Sequence, residues 1–191
     1  AKINWIGYEP PKPNLLGTKV FDEYDLNEIR NYIDWGPFFI TWELRGKYPE
    51  IMKDAAVGAE ATKLFNDANA LLDRIIKEKW LTARGVIGFW TAKKIGHDTI
   101  VLLDEHGKEL THLESLRQQI KKAPGQPNVS LADFIKPYSF GGEHELHDYM
   151  GAFAVSIHGI EPYLQQFAAD HDDYSKIMLQ AIADRLAEAF A

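Results

Sequence analysis

The feature that most constrains this fold is a long amphipathic segment from Gly58 to Lys79. Charged residues occupy most of one side of the segment. Apolar residues recur at intervals of three and four, as they do on one face of an α-helix: Leu64, Phe65, Ala68, Leu71, Leu72, Ile75 and Ile76. The spacing therefore predicts a helix over 58–79 that buries this apolar face against another layer.

Shorter segments rich in β-branched and aromatic residues predict strands. They are 84–92, a hairpin of 99–103 and 109–113 around a polar turn, and a buried strand over 149–157. Asp25 and Glu28 have the spacing of a capping box, which predicts a short helix ending near Tyr32. Further helices are expected over 115–121, 131–135, 160–169 and from 172 onward. Together these elements predict an α+β fold with a small, largely antiparallel sheet.

Composition excludes several classes of protein. The 191 residues contain no cysteine, which rules out disulfides, thiolate metal sites and cysteine nucleophiles. A formal net charge of −7 disfavours nucleic-acid binding. No apolar run approaches the roughly 20 residues that span a bilayer, and the N-terminal residues lack the pattern of a signal peptide. We therefore expect no membrane partner and a cytoplasmic location.

One carboxylate, Asp34, stands among aromatic residues in the segment Tyr32–Phe39. Desolvating a carboxylate is costly unless a positive or hydrogen-bonding group faces it. A cationic ligand beside the rings would supply both a charge partner and cation–π attraction. Composition alone favours a simpler role, in which Asp34 bonds backbone amides at the turn before Pro37.

A second acidic residue, Glu188, lies at the border of the apolar face of the last predicted helix. Arg185 is a possible partner three residues earlier, and the spacing alone leaves the role of Glu188 open. His144 and His147, with His171 later, could ligate a metal, although exposed loop histidines are the default interpretation. Ser156 and Ser175 have no recognisable base partner in the sequence.

Seven strings, taken together, resemble one known family over the whole chain, in order. They are Tyr32–Phe39, Thr41–Pro49, Leu116–Gln119, Leu131–Phe134, Gly151–Val155, His171–Met178 and Ala183–Phe190. The chain resembles the C-terminal activation domain of cobalamin-dependent methionine synthase. The resemblance implies a C-shaped single domain built on a bent antiparallel sheet with helices grouped around it.

The resemblance also implies a function and a site. A domain of this family binds S-adenosylmethionine and supports reductive methylation of cob(II)alamin, with cobalamin held by a neighbouring domain and zinc only in the distant homocysteine domain. Its partners would be the cobalamin-binding domain and a flavodoxin or diflavin reductase. Carried over residue by residue, Asp34 and Glu188 become the S-adenosylmethionine contacts, which overturns the simpler role of Asp34. No catalytic residue is implied.

The sequence departs from the family pattern in one respect. The string Arg-Pro-x-x-Gly-Tyr, which grips the ligand's carboxylate and adenosine in the family, does not occur in residues 1–191. We therefore expect an N-terminal arm over 1–20, the N-terminal part of the activation domain over 21–191, and a truncated C-terminus. The alternative is a docking module for the cobalamin domain or flavodoxin that does not bind the ligand.

Overall fold

The computed structural model describes residues 3–137 and 147–191. Its strands are β1 (Gly17–Tyr24), β2 (Thr82–Ile95), β3 (Thr99–Leu103), β4 (Glu109–Glu114) and β5 (Asp148–His158). Its α-helices are α1 (Leu26–Ile29), α2 (Gly36–Thr41), α3 (Gly58–Glu78), α4 (Glu161–Ala169) and α5 (Asp173–Phe190). Single 3₁₀ turns cover Arg30–Tyr32, Glu50–Lys53 and Leu131–Phe134.

The chain divides into two compact units. The sheet unit comprises Ala1–Lys19 and Ile87–Phe153, and the helical unit comprises Val20–Val86 and Ala154–Ala191. The five strands form one sheet in the order β1-β2-β3-β4, and β5 also pairs with β2.

The helical unit is built around α3, as the amphipathic pattern predicts. The helix buries Ala61, Leu64, Ala68, Leu72 and Ile75, while Phe65, Leu71 and Ile76 at the border of this face are half-buried. The same core takes in Phe38 and Phe39 of α2, together with Met178, Leu179, Ile182 and Leu186 of α5. Burial of this apolar surface is the main stabilisation of the unit.

Helix α5 packs against α1, the 30–32 turn, α2 and α3. Two ring contacts fix its direction. The ring of Tyr24 lies 5.0 Å from that of Phe190, and the ring of Trp42 lies 5.1 Å from that of Tyr174. The segment from residue 24 to residue 42 therefore runs antiparallel to α5, along most of its length.

The sheet unit contains the hairpin that the sequence predicts. Strand β3 pairs antiparallel with β2, from Thr91 opposite Leu103 to Ile95 opposite Thr99, and with β4 on its other side. Asp104 closes the β3–β4 turn because its Oδ1 accepts hydrogen bonds from the backbone of residues 106 and 108, at 2.9 and 2.8 Å. The core here is small, and its buried members are Ala92, Ile100, Leu102 and Ala132.

An ion network holds the segment after β4 in place. The Arg117 guanidinium bonds both oxygens of Asp133, at 2.8 and 2.9 Å, and the Asp98 carboxylate at 2.5 Å. Lys94 Nζ reaches Asp133 Oδ1 at 3.0 Å. The Ser130 backbone amide also donates to Asp133 in a capping box at the 131–134 turn. Irregular backbone is therefore fixed by charge-assisted hydrogen bonds.

Two expectations from the sequence are wrong. Residues 115–121 form no helix, because the Arg117 side chain is bound by the network and the Gln118 amide donates to the Val129 carbonyl, at 2.9 Å. Strand β5 is mostly exposed or half-buried, although its apolar composition predicts burial. In addition, residues 17–20 of the predicted arm belong to β1.

The other predicted elements are present, and the α+β class with antiparallel strand pairing is confirmed. Asp25 caps α1 by accepting from the Asn27 amide at 2.8 Å, and Asp172 caps α5 by accepting from the Ser175 amide at 2.9 Å. Within the described residues, no helix is both long enough and apolar enough to cross a membrane.

Candidate functional site

Asp34 lies in the short connection between the 30–32 turn and α2. Its Oδ1 accepts a hydrogen bond from the Gly36 amide at 2.8 Å, which is the turn role that composition alone favours. The residue is exposed, and Oδ2 has no hydrogen-bond partner in residues 3–137 and 147–191. The turn bond fixes the carboxylate while its second oxygen faces solvent, available to a ligand.

Glu188 lies in the last turn of α5, and its side chain is 56% exposed. Arg185 Nη1 donates to Glu188 Oε2, and Arg185 Nη2 donates to Asp184 Oδ2 at 2.7 Å. Burial acts to lower the pKa of Arg185, but the two carboxylates together raise it. The Arg185 pairing left open by the sequence is therefore present, and Oε1 of Glu188 is unbonded in the part of the chain described.

The two carboxylates belong to neighbouring elements of the helical unit. Asp34 lies on the segment that runs antiparallel to α5, between the contacts at Tyr24 and Trp42. Glu188 lies near the Tyr24 end of α5, a helix of 18 residues that is about 27 Å long. Asp34 therefore lies on the segment that packs along α5, and Glu188 lies on α5 itself.

Two grooves of the helical unit lie elsewhere. One, of about 320 Å³, lies between the β1–α1 junction and the end of α3, next to Tyr24 and Lys79. The other, of about 530 Å³, lies on the sheet between Val20, Arg84 and Ser156. Neither groove is lined by Asp34 or Glu188, whose free oxygens are on open surface.

The sequence missed a base partner for one serine. Ser156 Oγ lies 2.8 Å from His158 Nε2, because residues two apart on a strand point to the same face. The spacing of two residues within a predicted strand could have indicated this pair from the sequence. Among the described residues no carboxylate bonds the other nitrogen of His158, so the pair lacks the third member of a nucleophilic triad.

The structure bears on part of the hypothesis that His144, His147 and His171 ligate a metal. His144 lies outside the described residues, so its placement beside His147 is not described. His171 lies in the connection between α4 and α5, with a positive φ of 56°. Among residues 3–137 and 147–191, no group of three or more histidine or acidic side chains is arranged to hold a metal ion.

Comparison with known families gives one match to most of the chain. A family model described as the activation domain of vitamin B12 dependent methionine synthase matches residues 25–191. The matched range contains both candidate carboxylates and all five α-helices.

A similar solved structure is described as the MetH reactivation domain bound to AdoHcy. It superposes with a TM-score of 0.90 at 44% sequence identity, over 100% of this chain. The match covers 57% of that longer chain. The neighbour was therefore crystallised with S-adenosylhomocysteine, the molecule that S-adenosylmethionine becomes when it gives up its methyl group.

Proposed function

The chain belongs to the family of vitamin B12-dependent methionine synthase activation domains, and from this membership we propose that it binds S-adenosylmethionine for reactivation of the enzyme. The observation that carries the proposal is the pair of exposed carboxylates, Asp34 and Glu188, each with one oxygen free among the described residues. The ligand bound to the similar structure supports the same class of molecule.

The charge of the ligand fits these residues. S-adenosylmethionine bears an ammonium group and a sulfonium, and S-adenosylhomocysteine lacks the sulfonium charge. The helical unit carries 18 acidic and 11 basic residues, so the whole formal charge of −7 lies in this unit. Charge-assisted hydrogen bonds to carboxylates are about twice as strong as neutral ones. Asp34 and Glu188 would bind and orient the cationic groups of the ligand.

Arg185 would position Glu188 for this task. It is only 11% exposed, and it bonds one oxygen of Glu188 while leaving the other free. Asp184, on its other side, compensates its charge. The cluster of these three residues is therefore net negative, and it presents a carboxylate oxygen of fixed orientation to a cation.

The reaction in which this domain takes part would occur on a partner. The methyl group of S-adenosylmethionine would be transferred to cobalamin on the neighbouring domain, after one electron from a flavodoxin or diflavin reductase, and S-adenosylhomocysteine would remain. We propose that this chain binds and orients the methyl donor and is inactive alone, because the accepting cobalt belongs to another domain. A cytoplasmic location agrees with these partners.

Residues 1–191 would supply part of the ligand contacts. The family string Arg-Pro-x-x-Gly-Tyr is absent from this range, and the similar structure has a longer chain. The ammonium and sulfonium would be bound by Asp34 and Glu188, and the ligand carboxylate would lack its arginine in this range. A docking module that binds no ligand is the alternative, and direct titration distinguishes the two.

Replacing Asp34 by asparagine tests the proposal. The turn bond to the Gly36 amide can be kept by the amide oxygen, so we expect an unchanged fold. One charge-assisted contact is worth about 1.5–3 kcal/mol, which corresponds to roughly 10- to 100-fold in affinity. Titration calorimetry with S-adenosylmethionine on the wild type and on D34N measures this loss.

A matched control is Asp170→Asn, since Asp170 is an exposed acid at the end of α4 with no side-chain partner among the described residues. It removes the same charge from the same unit, and we expect the wild-type affinity. Equal affinities of D34N and wild type would remove Asp34 from the site. A wild-type chain that binds no S-adenosylmethionine would leave only the docking role.

A further inference from the structure

Tyr32 is a large aromatic residue that the fold leaves outside its core. It ends the 30–32 turn and is 70% exposed. Leu26 and Ile29, a few residues earlier, are buried in the core of the helical unit. In residues 3–137 and 147–191 the Tyr32 ring makes no ring contact, and its hydroxyl makes no hydrogen bond. Packing therefore gives no reason for an aromatic residue at this position.

The position of Tyr32 in the helical unit is defined by its neighbours. The 30–32 turn packs against α5, and Tyr24, before it in the chain, contacts the ring of Phe190 in the last turn of α5. A hydrogen bond with Glu28 is the main cause that raises the pKa of Tyr24, and the Tyr32 phenol adds to this shift. Tyr32 therefore lies within electrostatic range of Tyr24, on the segment that packs along α5, two residues before Asp34.

We propose that Tyr32 is a specificity-determining residue of the ligand site, whose ring face binds the sulfonium of S-adenosylmethionine and so favours it over S-adenosylhomocysteine. The inference rests on the proposed function. The exposed ring, the free oxygen of Asp34 two residues away and the negative charge of the helical unit carry it.

A carboxylate that binds the ammonium group discriminates poorly between the two ligands, because both carry that group and differ only at sulfur. An aromatic face attracts a cation through its quadrupole, and it attracts a neutral thioether much more weakly. The discrimination matters chemically, since the product of methyl transfer must leave before the next methyl donor binds. A tyrosine ring two residues from Asp34 supplies a contact that is lost when the methyl group departs.

The test compares Tyr32→Leu and Tyr32→Phe in the 191-residue chain. Ligand-observed NMR titrations with S-adenosylmethionine and S-adenosylhomocysteine report dissociation constants into the millimolar range. We expect Y32L to weaken S-adenosylmethionine binding about threefold to tenfold and to leave S-adenosylhomocysteine binding unchanged. Y32F keeps the aromatic face, and we expect it to behave as wild type toward both ligands.

Ile40→Ala is the matched control, because Ile40 is a large apolar residue of the same unit and is 68% exposed. It should change neither affinity, and thermal unfolding should show all three variants folded. Equal affinities of Y32L and wild type for S-adenosylmethionine would overturn this inference, as would a loss in Y32F equal to that in Y32L. A wild type that binds neither ligand would overturn the proposed function itself, whatever the variants do.

Discussion

The helical unit and the sheet unit are stabilised in different ways. The helical unit has a continuous apolar core drawn from α1, α2, α3 and α5, and it carries the entire net charge on its surface. The sheet unit has 10 acidic and 10 basic residues, and its apolar cluster within the described residues, around Ala92, Ile100, Leu102 and Ala132, is much smaller. Its irregular segment is held instead by the network of Arg117, Asp98, Asp133 and Lys94.

The difference shows which charged residues each unit can leave free for a ligand. A unit held by apolar burial can place acidic residues on its surface, because they contribute little to its stability. Asp34 and Glu188 lie on such a surface. In the sheet unit, by contrast, Arg117 bonds both oxygens of Asp133, so this carboxylate is not available to a ligand.

The largest effect we expect is in the helical core, from Leu72→Ala. Leu72 is 1% exposed, and removing a buried leucine side chain costs about 2–5 kcal/mol of unfolding free energy. Its neighbour Leu71, which the sequence places on the same buried face, is only half-buried, so Leu71→Ala should cost clearly less. Urea unfolding gives the loss of unfolding free energy in each variant. Equal losses in the two variants would contradict the described orientation of α3.

In the sheet unit we expect a local effect from Arg117→Met. The variant removes the guanidinium that bonds Asp133, Asp98 and the Asn128 carbonyl, so residues 115–134 should lose their fixed conformation first. Amide hydrogen exchange should accelerate there and remain unchanged in α3. Arg84→Met is the control, because the exposed Arg84–Asp22 pair at 3.7 Å should contribute little. Faster exchange throughout the chain would mean that the network supports both units.

The smallest effect we expect is a pH dependence of the unfolding free energy that Asp133 causes. The hydrogen bonds from Arg117 are the main cause that holds the pKa of this carboxyl well below its usual range, against the opposing effect of burial. A depressed folded-state pKa stabilises the fold above the unfolded pKa of about 3.9, and this stabilisation is lost as the pH falls below it. The difference in unfolding free energy between wild type and Asp133→Asn should therefore shrink from pH 7 to pH 3. If the difference in unfolding free energy were the same at both pH values, the ion pair would not be the source of the stabilisation by Asp133.

Local patterns in the sequence predicted much of the fold. The helix predicted over 58–79, the β3–β4 hairpin and the cap at Asp25 depend on interactions within a few residues or on a regular period. Long-range contacts explain the failures. The helix predicted over 115–121 is absent because Arg117 bonds Asp98 and Asp133, which are 19 and 16 residues away. The pairing of Ser156 with His158 was predictable from strand periodicity and was missed.

What the sequence alone determined about this protein is its class, its family resemblance and the identity of two candidate carboxylates. Composition, periodicity and long matching strings are properties of the chain itself, so they need no fold. Only the tertiary structure decided that Asp34 and Glu188 each keep one oxygen free among the described residues, and that the Tyr32 ring is exposed. The physical reason is that exposure and the availability of hydrogen-bonding atoms depend on which distant residues pack together, and spacing along the chain does not encode that.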